Sequence, residues 1–304
     1  MKSRLFLYSA LFFGVFSLST SAIFVKLANA PSCITAFYRL FFAALLLLPA
    51  FLFSKKNRQA LLDLSPKQWG WGLLSGLFLA VHYVLWFESL RYTSVASSTV
   101  IVTLQPLFSL AGGYFLFKER LSQRAIAGCL IAIIGCIIIG WEDFQISGTA
   151  LFGDLLAFLA AGLITAYFFT GQFLRKNLSV IPFSLLGYVS SALFLASYAV
   201  TQQVSFVDYP LPAWGAFIGL ALIATILGQL IFNWLLKWVS TTVISMAILG
   251  EVIGNCILAY FILNETISLQ QQIGIGTILT GLALFLRQPP KHSRLDNKSV
   301  IKKL

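Results

Sequence analysis

Charge is what this chain has least of. Only 10% of its 304 residues are Asp, Glu, Lys or Arg, while 59% are hydrophobic and the mean hydropathy is +0.88. A soluble domain carries about 25% charged residues, so this chain lacks the polar surface needed to meet water on all sides. Strictly alternating segments of about ten residues, the mark of a transmembrane barrel, are also missing. Histidine is confined to His82 and His292, and no cluster of acids and histidines marks one membrane face. A membrane-embedded enzyme acting on lipid or isoprenoid substrates would want such a cluster. The four cysteines (Cys33, Cys129, Cys136 and Cys256) form no Cys-x-x-Cys pair. They read as small buried hydrophobes rather than a disulfide framework or a zinc site.

Apolar length is abundant instead. Crossing about 30 Å of hydrocarbon takes about 20 residues at about 1.5 Å each. Ten runs of that kind fall near 5–25, 33–53, 69–90, 93–117, 122–140, 150–173, 181–201, 212–236, 240–263 and 268–286. The expected fold is an all-α integral membrane protein with ten transmembrane helices. The first run, Leu5 to Val25, starts like a secretory signal but exceeds the roughly 7–15 residues of a signal core, so it is read as a retained span. The net charge of +11 does not describe a nucleic-acid face. Of 21 Lys and Arg, 18 lie in the tails and in alternate loops, against only Lys26 and Arg91 in the opposite loops, with Arg39 inside the second span. That asymmetry places both termini in the cytoplasm and the protein in the cell membrane.

A shift of 146 residues lays one half on the other without a gap. Leu90 falls on Leu236, Ser94 on Ser240, Tyr114-Phe115 on Tyr260-Phe261, and Glu119 on Glu265. Ser122 falls on Ser268, Gly128 on Gly274 and Gly135 on Gly281, so the spacing E-x-x-S-x5-G-x6-G recurs intact. Each unit holds five spans, an odd number, so the copies must enter the bilayer in opposite directions. The expected organisation is a first repeat over 1–140, a second over 141–287 and a basic tail over 288–304. Inverted repeats are a common plan of secondary transporters that rock around a midplane site. A passive channel would instead favour rings of like polar residues along a pore.

Leu90-Arg91-Tyr92-Thr93-Ser94, Leu104-Gln105-Pro106-Leu107-Phe108, and Glu119-Arg120-Leu121-Ser122 with Gly128 carry a resemblance to a known family. Leu249-Gly250-Glu251-Val252, Leu263-Asn264-Glu265-Thr266 and Gly274 continue it in the second half. Over residues 5–287 the chain resembles the EamA family of the drug/metabolite transporter superfamily. The resemblance implies ten helices in two inverted repeats, no bound cofactor, and transport of small metabolites, with export of amino acids or related compounds frequent. Pro106, Glu119, Gly128, Glu265 and Gly274 stand at signature positions, expected to gate or fix loops rather than touch substrate. One departure is Val252, which follows Glu251 where the second repeat commonly has proline. Its absence removes a helix break.

Glu251 is the leading candidate for a substrate or proton pathway. It lies near the middle of the ninth span, where an ionised carboxylate costs about 3 kcal/mol by insertion scales. Staying protonated lowers that cost, and such a group can exchange a proton as water access alternates; a structural hydrogen bond between helices is the competing reading. Gln105 is its repeat partner. His82, Tyr83 and Trp86 form a polar aromatic stretch in span three, either lining a cavity or satisfied within the bundle. Gln229 with Asn233, and Glu251 with Asn255, share helix faces at four-residue spacing. Arg39 either snorkels to the interface or pairs with an acid or an anionic substrate. Glu88 and Arg91 are spaced to pair, and Asp154, one turn inside span six, is expected to stay solvated. Gly72/Gly76 and Gly250/Gly254 read as packing pairs. The expected partners are a small-molecule substrate, the bilayer and protons as coupling ion, with no nucleic acid.

Overall fold

The computed structural model describes residues 4–93, 95–141, 148–263 and 268–287. The first span is α1 (Arg4–Ser19) followed by α2 (Ser21–Ala28), and the second is α3 (Ser32–Leu52). A short helix, α4 (Lys55–Leu62), precedes the third span, α5 (Pro66–Tyr92). The fourth is divided into α6 (Val95–Val102) and α7 (Gln105–Phe117), and the fifth is α8 (Gln123–Gly140). Spans six and seven are α9 (Gly148–Leu174) and α10 (Val180–Thr201). Span eight joins α11 (Leu211–Gly219), a π-helical segment (Leu220–Gln229) and α12 (Leu230–Leu235). Span nine is divided into α13 (Thr241–Ile248) and α14 (Gly250–Leu263), and span ten is α15 (Leu269–Arg287). Among the described residues nine runs are long and apolar enough to cross a bilayer, and Gln123–Ile139 is a shorter tenth. Glu265, the acids Glu142 and Asp143, and the tail 288–304 with His292 lie outside the described residues.

Local chemistry explains several boundaries. Ser65 opens α5 with a capping box: its side chain accepts from Gln68 N while the Gln68 side chain returns to the Ser65 N–H, and Pro66 takes the first helical position. Ser122 caps α8 by accepting from Ala125 N at 3.2 Å. The stretch between spans two and three contains α4, which is capped by Ser54 and tied to the start of α10 where Ser179 donates to Asn57 at 2.8 Å. Its polar sequence hid it, because a helix with little apolar face leaves no periodic signal.

The missing proline after Glu251 does not restore a continuous helix. Span four is interrupted after Val102, where Pro106 lacks an N–H and crowds the preceding turn. Span nine is interrupted after Ile248, the position 146 residues on, with Gly250 weakening the helix in the proline's absence. Interruption at this place is therefore a property of both repeats.

The inverted relation is visible in the packing. α8 and α15 cross with Gly128 against Gly281 and Gly135 against Gly274. A Cβ on Gly128 would stand 2.7 Å from Gly281 O, and one on Gly135 would stand 2.8 Å from Gly274 O. Rising numbers on one helix meet falling numbers on the other, so the helices are antiparallel. Each glycine faces the repeat counterpart of the other, as an isologous contact requires. The remaining contacts obey the same operation. α3 packs on α10, α7 on α13 and α6 on α14, while α5 against α9 is matched by α1 against the π segment. Gly72 and Gly76 meet Leu186 and Ser190 of α10, and Gly254 meets Ser19 of α1, so both glycine pairs lie at helix contacts. Cys33, Cys129 and Cys136 are buried free thiols, and Cys256 is free and half-buried.

Candidate functional site

The two helix interruptions face one another at the centre of the bundle. Gln105 is the first residue of α7, and Glu251 lies in the first turn of α14, so equivalent polar side chains stand at equivalent half-helix starts. Between them is a cavity of about 20 Å³, lined by Leu18, His82, Tyr83, Trp86, Val102, Gln105, Ile164, Phe168, Gln229, Phe232, Ile248 and Glu251. The 146-residue shift sorts this lining into pairs. Leu18 matches Ile164, Tyr83 matches Gln229, Trp86 matches Phe232, Val102 matches Ile248, and Gln105 matches Glu251. Only His82 and Phe168 lack a lining counterpart, their equivalents being Gly228 and Ala22. A wall built of symmetry mates places the cavity on the pseudo-twofold axis that relates the repeats.

One of these pairs is bonded directly, since the Tyr83 hydroxyl donates to Gln229 Oε1 across the axis. His82 donates from Nδ1 to Ala160 O at 2.9 Å, and its ring stacks on Trp86 at 5.8 Å between centroids. The aromatic stretch expected from span three thus lines the cavity, with the histidine anchored to the α9 backbone. Several polar atoms at the cavity have no hydrogen-bond partner within the described residues: Trp86 Nε1, Gln105 Oε1, Gln229 Nε2 and Glu251 Oε1. Buried polar groups left this way cost free energy, and they mark a place where a ligand or water completes the bonding.

Arg39 does not snorkel. It is 0% exposed, donating from Nε to Thr225 Oγ1 at 2.9 Å and from Nη1 to Ser21 Oγ at 2.6 Å. Its guanidinium lies 4.3 Å over the Tyr83 ring, so that ring stands between the cation and the cavity. Both neutral partners occupy irregular backbone. Ser21 begins α2 just past the break at Thr20, and Thr225 sits in the π segment, where its hydroxyl also donates to Leu220 O five residues back.

The two asparagines lie away from the cavity. Asn233 donates to Tyr167 Oη (2.7 Å), Ser184 Oγ (2.9 Å) and Tyr188 Oη (3.4 Å), and so ties α12 to α9 and α10. Asn255 donates to Thr99 Oγ1 at 3.2 Å and joins α14 to α6. Asp154 is buried rather than solvated, accepting from Ser97 Oγ at 2.9 Å, because α9 turns this side chain onto α6. Glu88 and Arg91 pair at 2.8 Å, as their spacing predicts.

Glu119 is 4% exposed and accepts from Thr242 Oγ1 at 2.7 Å and Gln172 Nε2 at 3.4 Å, fixing the loop after α7 to α13 and α9. Nearby, Arg175 donates to Asn233 O at 2.9 Å and to Trp234 O at 3.4 Å, closing the end of α12. Burial holds its guanidinium below the ordinary value, at about 10. Pro106 is buried in the first turn of α7, and Gly128 and Gly274 belong to the α8–α15 crossing. Missed by sequence reasoning were Ser21, Thr225, Phe168 and Phe232. The repeat offset held part of that signal, since adding 146 to Tyr83 and Trp86 names Gln229 and Phe232.

Relatives place this geometry among transporters. Over 197 residues the chain is 27% identical to a probable amino-acid metabolite efflux pump of Salmonella typhimurium, covering 61% of this chain and 65% of that protein. Over 238 residues it is 26% identical to an S-adenosylmethionine uptake transporter of Rickettsia felis, covering 76% and 74%. A solved crystal structure superposes with a TM-score of 0.77 over 96% of this chain and all of its own, at 18% identity, which speaks for the fold alone. The model of the EamA-like transporter family matches twice, over residues 5–141 and 151–287. With ten apolar spans among the described residues and the family match covering both halves, the chain belongs to the EamA-like transporter family.

Proposed function

We propose that this protein is a secondary transporter that moves a small metabolite by alternating access around the axial cavity, exporting amino acids or related compounds in exchange for protons. The observation that carries the reading is the cavity wall of five repeat-equivalent pairs. A site on the symmetry axis presents similar walls to both membrane faces, so rocking one repeat against the other opens it to either side at similar cost. The interrupted spans four and nine support it by setting Gln105 and Glu251 at half-helix starts beside the cavity. At about 20 Å³ the cavity has room for about one water. The described conformation is then an occluded one, which widens as substrate enters.

In this scheme Glu251 exchanges the proton, while Gln105, its counterpart, offers fixed polarity. Residues 1–140 and 141–287 act as the two moving repeats, both termini face the cytoplasm, and the host bilayer is the cell membrane. The test is mass spectrometry of the medium from cells producing the protein beside cells producing Glu251→Gln at equal level. A small set of metabolites enriched only with the intact protein is expected, accumulating against a gradient as no passive channel allows. Equal enrichment from both would remove Glu251 from the mechanism, and none from either would remove export. Orientation has its own check: a cysteine beside Glu265 should react with an impermeant thiol reagent from outside, and one beside Glu119 should not. Reversed labelling would overturn the assigned sidedness.

A further inference from the structure

We infer that a groove between α5, α7 and α9, at their lysine-bearing ends, binds one anionic phospholipid of the surrounding bilayer. Its acyl chain lies between the helices and its phosphate faces Lys67, Lys118 and Lys176. The assignment is independent of what the protein transports.

The three helices share one end there, since α5 begins at Pro66 while α7 ends at Phe117 and α9 at Leu174. Trp71 of α5 meets Phe173 of α9 at 6.4 Å between ring centroids, and Phe117 of α7 stacks on Phe169 of α9 at 5.5 Å. Beside these two aromatic contacts lies a cavity of about 270 Å³, bounded also by Phe78, Leu116 and Ala166. Leu116 is 44% exposed, so the groove opens sideways toward hydrocarbon. The one hydroxyl in its wall, that of Thr170, donates to Tyr167 O at 2.7 Å. What remains is an apolar slot. Trp71 to Phe78 and Ala166 to Phe173 each span seven residues, about 10 Å of helix, so the slot follows the helices as an acyl chain would.

Charge at its mouth names the headgroup. Lys67 stands one turn before Trp71, Lys118 directly follows Phe117, and Lys176 Nζ lies 6.0 Å from the Phe117 ring. All three lysines are exposed, and none is in an ion pair among the described residues. Lysines at a membrane surface attract anionic headgroups, and a zwitterionic headgroup gains much less. The opposite end of the molecule offers a control by symmetry. There Phe217, the equivalent of Trp71, is fully buried, and the ring of Phe24, the equivalent of Thr170, packs against Gly219. The positions equivalent to the three lysines hold Ala213, Asn264 and Ala30. The slot and its cations therefore occur together on one side and are both missing from the other.

The test is native mass spectrometry of full-length protein released from vesicles of equal phosphatidylglycerol and phosphatidylcholine. One phosphatidylglycerol should be retained over phosphatidylcholine by about fivefold or more. That comparison needs no variant to fold, and equal retention of the two lipids, or of neither, would overturn the assignment. Ala166→Trp, which fills the slot, and the pair Lys118→Asn with Lys176→Gln should each bring retention down to the phosphatidylcholine level. Asn suits position 118 because its φ is 52°, in the left-handed region. Lys55→Gln with Lys56→Gln removes the same charge from α4 and should leave retention unchanged. Equal losses from both lysine pairs would show attraction to the basic surface at large, and full retention by Ala166→Trp would show that no chain enters the slot; either result overturns the site.

Discussion

The pseudo-twofold axis pairs α5 and α9 with the π-bearing span eight and span one, and the two equivalent couples are built differently. α5 and α9 are continuous helices of 27 residues each. Their counterparts are both irregular: span one breaks at Thr20, and span eight carries ten residues of π helix. The irregular couple is also where Arg39 is bound. On the regular side the positions equivalent to Arg39, Ser21 and Thr225 hold Leu185, Tyr167 and Leu79, and no charge is placed there. Irregular backbone thus accompanies the buried cation on one side of the axis, while the other side stays regular and holds only neutral polar contacts such as His82 with Ala160 O. π segments recur at functional sites for a related reason, since their wider turn re-aims side chains and frees backbone groups. Symmetry supplies two similar conformations, and departures from it supply chemistry.

The comparison can be broken most severely at the cavity itself. Exchanging the polar pair, with Gln105→Glu and Glu251→Gln together, should leave proton-driven flux in proteoliposomes near background, because Arg39 and His82 have no equivalents on the other side; recovery of more than about half would make the two sides interchangeable. Next in size is Gly281→Ala. A Cβ there would stand 2.5 Å from both Ala132 N and Gly128 O, so the helices must part, at about 3 kcal/mol or more in denaturant unfolding. Gly70→Ala, where nothing lies within 4 Å, should stay within about 0.5 kcal/mol, and equal losses would show that crossing and surface do not differ. Thr225→Val removes one of the two hydroxyl acceptors of the buried Arg39 and should cost about 2 kcal/mol. Thr242→Val should cost about 1.5 kcal/mol, because Gln172 still reaches Glu119, and a larger loss than at Thr225 would show that the buried cation is not the costlier group to leave short of a partner.

Much of this architecture was legible in the residues. Ten apolar runs, the 146-residue offset and the intramembrane Glu251 follow from composition and spacing, because a bilayer imposes length and polarity rules that act locally. The offset also held part of the cavity lining, since a residue close to the axis stands near its equivalent. What stayed hidden depends on contacts distant in sequence. The π geometry of 220–229 accompanies the bond between Thr225 and Arg39, which are 186 residues apart. Asn233 shares a helical face with Gln229 on paper, yet it faces a tyrosine cluster, because the π segment ends between them. Asp154 read as exposed because its depth was judged along one helix, whereas α6 covers it.

The crossing of α8 and α15 bears on how the chain is assembled. α8 is made early, and its glycine face is shaped to accept the backbone of α15 at Gly274 and Gly281. Until the last helix is inserted, that face meets lipid tails, which fill a backbone groove poorly compared with a closely fitted helix. The first five spans therefore form an incomplete body that waits for the final one, and α15 serves as the closing clasp. Insertion order is thus written into two pairs of glycines, and a ribosome pausing before Leu269 would hold the molecule open at that seam.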